Sequence, residues 1–332
     1  MARYYRADLE RNAPVSTEIT GYAASVLVYL HQSTGDARFL ARAEAAARFL
    51  ARDAWDRTSR AMPFELSPGA PTYFFDCGII VRGLLAAWRA TGSGEFLDVA
   101  AALGQAMAED FAVSQPEEFH PVLSLPEKHP LDRDALRWSR SPGCYQLKSA
   151  MAWWDLAEAT GDGEFRRFYE RALTGALRSY GTFLPGDSGR PKVMDRLHAF
   201  LYFLEGMLPC AGQSPCRNAL CEGIGMVDRY LREIASEFER SDVYAQLLRI
   251  RVYADWAGAV TLDRSAAHFE AEMLAGFQCV DTDPRVDGGY WFGRAGGARL
   301  SFVNPVSTAF ALHALAVWDI WRNRGDERPV MI

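Results

Sequence analysis

The sequence predicts an all-α fold of six helical hairpins, each an apolar inner helix covered by an amphipathic outer one, closed into an α/α toroid. Three observations carry this. A long apolar run ends three times in the same way, at Thr34-Gly35-Asp36, Thr91-Gly92-Ser93 and Thr160-Gly161-Asp162. The junction glycines are 57 and then 69 positions apart, and periods of this size mark stacked helical units. The runs before each junction are apolar all round. The run after Asp36 instead gathers Phe39, Leu40, Ala43, Ala46, Ala47, Phe49 and Leu50 on one stripe, with Arg38, Arg42, Arg48 and Arg52 largely opposite. An open solenoid is the alternative to closure, but its end would leave an all-apolar helix exposed.

Taken in order, residues 1–15 are a polar entry arm with Pro14. The first inner helix follows over 16–32, and Gly35 suits a left-handed C-terminal position with Asp36 capping the next helix. That outer helix runs over 37–52. A loop then carries Met62-Pro63-Phe64-Glu65 and leads to the second hairpin, 75–91 and 94–109. The stretch 110–142 is long for a loop inside a domain, and its aromatics and prolines predict an ordered lid or cleft wall. The third hairpin is 143–160 and 163–180. Later junctions are more degenerate: 195–208 with 215–236, then 242–258 with 264–276. The sixth inner helix begins at Asn304-Pro305 and lacks an evident outer partner. Glycines and aromatics between 277 and 303 predict a small β-hairpin-like insertion. Residues 1–332 read as one domain.

Composition bounds the function. The chain has 49% hydrophobic and 23% charged residues and a net charge of −6. A general nucleic-acid binder would need a basic face. No apolar run reaches the ~18 residues of a membrane span. The N-terminus lacks the apolar segment of a signal peptide, so a cytoplasmic location is expected. Cys77, Cys144, Cys210, Cys216, Cys221 and Cys279 form no CxxC pair. They read as thiols without disulfides, although the 210–221 cluster leaves zinc open.

Three short motifs carry a family resemblance: Glu18-Ile19-Thr20-Gly21-Tyr22, Phe75-Asp76-Cys77-Gly78 and His198-Ala199-Phe200-Leu201-Tyr202-Phe203-Leu204-Glu205-Gly206. Together with the repeat they resemble the six-hairpin glycosidase-like superfamily, and most nearly the toroid proteins associated with bacterial surface-polysaccharide biosynthesis. The resemblance implies action on a sugar or glycan and leaves hydrolysis, uronate epimerisation and elimination open. A terpene-cyclase-like toroid is a weaker match, because Asp281-Thr282-Asp283-Pro284 lacks a fourth aspartate.

In a toroid the starts of the inner helices share one rim. The residues there are Glu18, Asp76, Tyr145 with Gln146, Asp195 with Arg196 and His198, Tyr244 with Gln246, and Asn304. Paired carboxylates can protonate a leaving oxygen and activate water or a nucleophile. Glu18, Asp76, His198 and Glu205 are therefore the candidate catalytic residues. Tyr22, Tyr73, Trp138, Tyr145, Gln146, Asp195, Arg196, Tyr202, Trp291 and Asn304 are the candidate substrate-binding residues, with Arg196 suited to a carboxylate or phosphate. No metal and no cofactor are expected, and the partner is a carbohydrate. Bland readings stand beside these. Asp76, Asp195 and Asn304 suit helix caps. His198 suits a neutral core position. Glu205, two turns into an apolar helix, either lines the cavity or pairs with an arginine such as Arg82 or Arg249. A non-catalytic toroid binding a glycan or protein remains the alternative.

Overall fold

A computed structural model describes residues 1–113, 117–184, 186, 189–323 and 331–332. In chain order the strands are β1 (Tyr5–Arg6), β2 (Arg11–Asn12), β3 (Thr72–Tyr73), β4 (Val122–Leu123), β5 (Phe238–Arg240), β6 (Gly293–Ala295), β7 (Ala298–Arg299) and β8 (Phe302–Val303). The helices are α1 (Thr17–Thr34), α2 (Ala37–Arg48), α3 (Phe74–Thr91), α4 (Gly94–Asp110), α5 (Gln146–Thr160), α6 (Gly163–Ser179), α7 (Arg190–Gly206), α8 (Ser214–Ile234), α9 (Ser241–Trp256), α10 (Arg264–Ala275) and α11 (Pro305–Asn323). They form two compact units. Unit 1 holds Met1–Ala2, Pro14–Tyr180 and Ile332; unit 2 holds Arg3–Ala13 and Gly181–Met331.

Unit 1 is three hairpins, α1/α2, α3/α4 and α5/α6, turned by one device used three times. Gly35, Gly92 and Gly161 adopt φ of 71°, 72° and 74°, the left-handed region that costs other residues roughly 1 kcal/mol or more. The preceding threonine donates to the carbonyl four residues back: Thr34 to Leu30, Thr91 to Ala87, Thr160 to Leu156. The same hydroxyl accepts from the amide two residues on, at Asp36, Ser93 and Asp162. Asp36 and Asp162 then cap the next helix through the amides of Arg38 and Glu164. Each junction satisfies the backbone groups that a helix end leaves open.

The inner helices of unit 1 meet backbone to backbone. A Cβ on Gly83 of α3 would lie 2.4 Å from the Gly21 carbonyl oxygen of α1, and one on Gly78 would lie 2.4 Å from the Ser149 oxygen of α5. Ser149 seals the second contact by donating to the Phe75 carbonyl at 2.9 Å. Ordinarily Gly→Ala inside a helix gains up to about 1 kcal/mol. Here the methyl has no room, so Gly78→Ala is expected to destabilise by about 1–3 kcal/mol, read as a lower denaturant midpoint.

Around these helices, Thr17 Oγ1 donates to the Pro63 carbonyl at 2.7 Å, tying the 55–73 loop to α1. β3 pairs antiparallel with β4, so the long loop lies along the entrance of α3. Phe119 stacks on Phe74 at 4.8 Å. The described part of 110–142 is thus ordered against the start of α3; residues 114–116 lie outside the description.

Unit 2 holds α7/α8, α9/α10 and α11. The expected start of its first helix near 195 is too late: α7 begins at Arg190, with proline in its first turn. Asp195 and Arg196 therefore sit inside the helix, and the capping role expected of Asp195 does not hold. The insertion is a β6–β7 hairpin turned by Gly296-Gly297 and joined by β5, giving the order β5-β6-β7. The expected arm contains a β1–β2 hairpin, whose β1 pairs with β8 ahead of α11.

Between α8, α9 and α10, Arg251 donates to Glu270 at 2.7 Å and lies 3.2 Å from Asp228. Burial pushes the Glu270 carboxyl up to about 8 despite Arg251. The folded chain then holds this proton more tightly than the unfolded chain, whose value is about 4.5. The stability it contributes is complete below the unfolded value and is lost as pH rises towards 8. Glu270→Gln, uncharged throughout, is expected to gain on the native chain between pH 5 and 9, at up to about 1.4 kcal/mol per pH unit. Melting curves across that range check it.

Candidate functional site

The glycine contacts set the heights of α1, α3 and α5. Glu18, Asp76 and Lys148 are the second or third residues of their helices. With Gly21 against Ile79 and Ile80, and Gly78 against Ser149, all three fall within one turn of a common level. Glu18 is half-buried, Asp76 is 7% exposed and Lys148 has no exposed surface. Acidic residues in a first turn are favoured by the helix dipole, whereas a lysine there is disfavoured. Burying an ammonium without a partner costs several kcal/mol. Lys148 Nζ donates to the Ile332 oxygen at 3.4 Å. Lys148 is the residue that sequence reasoning missed. A single lysine in a helix reads as a solvent-facing cation, and only its burial marks it out.

Aromatic rings flank these starts. Tyr73, at the N-terminal flank of α3, meets Phe64 edge-on at 5.6 Å. Trp138, half-buried, stands edge-on to Phe75 at 5.6 Å and to Tyr145 at 5.0 Å. Tyr145 and Tyr22 are buried. The Tyr145 hydroxyl donates to the Ser141 carbonyl at 3.0 Å. Gln146 accepts from the Gly143 amide and donates to the Phe119 carbonyl, so its amide holds the long loop.

In unit 2 the expected residues separate into holding contacts. Arg240 Nη1 lies 2.8 Å from His198 Nδ1. A guanidinium can only donate, so Nδ1 accepts and the neutral ring carries its proton on Nε2. The Asp195 backbone also hydrogen-bonds the ring. Burial, and then the Arg240 charge, hold His198 well below the usual histidine range. Arg240 itself is fixed by a two-pronged bond to Asp242, at 2.9 and 2.6 Å, and lies over Phe292. Tyr202 meets the His198 ring edge-on at 5.8 Å. Of the two arrangements open to Glu205, the structure shows the ion pair. Arg249 donates to it at 2.7 Å, each side chain being 2% exposed, while Arg82 pairs with Asp155. Arg196 donates to the Phe183 carbonyl at 3.1 Å. Trp291 is buried beneath Arg299. Asn304 caps α11 by accepting from the Val306 amide at 2.8 Å.

None of the six cysteines is in a disulfide, and five are buried. Among the described residues no three His, Cys, Asp or Glu side chains group to hold a metal ion. No helix among them is long and apolar enough to cross a membrane.

No protein-family model matches the chain, and no curated protein matches it in sequence. Solved structures do. A sugar epimerase from a ruminal bacterium superposes with a TM-score of 0.72 at 13% identity, over 99% of this chain and 93% of that one. Cellobiose 2-epimerase from Spirochaeta thermophila gives 0.70 at 13% identity, over 93% and 88%. The unsaturated glucuronyl hydrolase of Bacillus sp. GL1 gives 0.64 at 13% identity, over 97% and 92%. The chain thus has the (α/α)6 toroid fold of the six-hairpin glycosidase-like proteins, with a small sheet insertion.

Proposed function

We propose that the protein is a carbohydrate-active enzyme that moves protons on a sugar with two carboxylates, Glu18 and Asp76. The observation that carries this is their placement. Two acidic residues occupy first turns at a common level on neighbouring helices, and glycine contacts leave those helices no freedom to slide. One carboxyl of such a pair can donate a proton while the other accepts one. Asp76 is 7% exposed and Glu18 is half-buried. Tyr73 and Trp138 are the rings on which a sugar would stack.

His198 and Glu205 take holding roles in this reading. The His198 ring is engaged by Arg240 and by the Asp195 backbone, and Glu205 neutralises buried Arg249. In this reading residues 1–332 form one toroid domain. The fold likeness to a cellobiose 2-epimerase, a D-mannose isomerase and an unsaturated glucuronyl hydrolase supports a sugar substrate and supplies the first probes. Incubation with cellobiose, D-mannose and an unsaturated glucuronyl disaccharide, followed by NMR of the products, is expected to show conversion of at least one. A glycan-binding protein without chemistry would bind one of these sugars in calorimetry and convert none, and that result would sink the proposal.

A further inference from the structure

We infer that Gln246 and Ser307 form a neutral recognition site in unit 2 that reads two adjacent hydroxyls of a sugar. The inference rests on the proposed reading only in taking its ligand to be a sugar; it uses neither Glu18 nor Asp76. Gln246 and Ser307 are both 0% exposed. Among the described residues, neither end of the Gln246 amide has a hydrogen-bond partner, and neither does the Ser307 hydroxyl. Buried polar side chains are nearly always bonded, and an unmade bond costs the full desolvation of the group. The two residues also belong together. Arg249 of α9 lies over Phe310 of α11, and one turn on Tyr253 stacks on His313 at 6.1 Å. The two helices therefore run parallel, and one turn back from Arg249 and Phe310 stand Gln246 and Ser307.

The chemistry of the pair selects the ligand. A primary amide offers donors on one side and an acceptor on the other, and a hydroxyl both donates and accepts. Adjacent sugar hydroxyls match that set: one donates to Gln246 Oε1 while its neighbour accepts from Nε2, and Ser307 bonds either. Neither residue carries a charge, so the group they read is neutral. Residues 290–292 bridge the heads of both helices. Ser241 donates from Oγ to the Trp291 carbonyl at 2.7 Å, and Thr308 Oγ1 accepts from the Tyr290 amide at 3.0 Å. The sugar enters where that segment lifts, which breaks these bonds and leaves α9 and α11 packed on each other.

Calorimetry with D-mannose and cellobiose, each beside its monodeoxy analogues, tests this on the native chain, Gln246→Met and Ser307→Ala. On the native chain, removing either of two adjacent hydroxyls is expected to weaken binding at least about tenfold. Gln246→Met should bind the parent sugar and those two analogues alike, and Ser307→Ala should narrow the gap for one of them. The comparison is between sugars on one protein, so a general loss of stability does not mimic it. Without sugar, Gln246→Met should melt a few degrees higher, since a thioether of similar size leaves no amide unbonded. Deoxy penalties that are the same on all three proteins overturn the inference. So does a lower melting temperature of Gln246→Met with unchanged sugar binding, which marks an amide bonded to resident water. Should Gln246→Met fail to fold, Ser307→Ala still decides. In each of these cases Asp76→Asn tests the proton-transfer reading separately. Failure of every sugar to bind any of the three proteins removes both.

Discussion

Asp76→Asn is expected to lower sugar turnover by about 10²–10⁴-fold while leaving the fold in place. Asparagine has the same shape and can occupy the same first-turn position. Only the ionisable proton is lost. Any loss of helix-dipole stabilisation at the start of α3 is at most about 0.3–1 kcal/mol, too little to unfold the chain. The loss in rate comes instead from removing a group that must hold and release a proton. Glu18→Gln should fall in the same range but alter the opposite limb of the pH–rate profile, since the two carboxyls serve in opposite protonation states. Turnover is measured on whichever of cellobiose, D-mannose or the unsaturated glucuronyl disaccharide is converted, with circular dichroism and melting as controls. An Asp76→Asn enzyme that keeps more than half its turnover removes Asp76 from the chemistry.

The second large effect concerns stability. Glu205→Ala removes the carboxylate that Arg249 donates to at 2.7 Å, where the guanidinium is buried over Phe310 at 4.7 Å. Removing one partner of a buried pair costs about 3–5 kcal/mol, which lowers the melting temperature by roughly 10 °C. Replacing both partners together, Glu205→Leu with Arg249→Met, should recover most of that loss, because no charge is then left buried. The double variant also separates roles. If Glu205 only neutralises Arg249, turnover at a temperature where the protein is folded stays near the native value. If turnover collapses in the stable double variant, Glu205 belongs to the chemistry.

Much of the fold is legible in the sequence because its signals are local. The Thr-Gly-Asp junctions need only the residues on either side, and their hydrogen bonds repeat from hairpin to hairpin. Asn304-Pro305 announces the start of α11 for the same reason. The start of α7 is harder. The polar run around Arg190, Lys192, Asp195 and Arg196 resembles a loop, and Pro191 resembles a breaker, although proline is well placed in a first turn. The site is legible in part. Glu18 and Asp76 stand out as acids at the heads of apolar helices. Lys148 and Arg240 do not, because what marks them is a partner far away in sequence. Arg240 meets His198 across 42 positions and Lys148 meets Ile332 across 184. No local pattern encodes such meetings. The choice between cavity and ion pair at Glu205 likewise depended on whether an arginine from α9 would reach it.

The glycine contacts between α1, α3 and α5 also bear on how such a protein could be changed. Gly21, Gly78 and Gly83 leave no layer of side chains between these helices in which a designer, or a lineage, could trade large residues for small. The spacing of Glu18, Asp76 and Lys148 is therefore a fixed gauge. Room for a longer or bulkier ligand has to come from the 55–73 loop and the described part of the 110–145 segment, whose ties to the helices are hydrogen bonds and short strand pairs. Libraries aimed at altered ligand binding belong in those segments, with the helix heads left untouched.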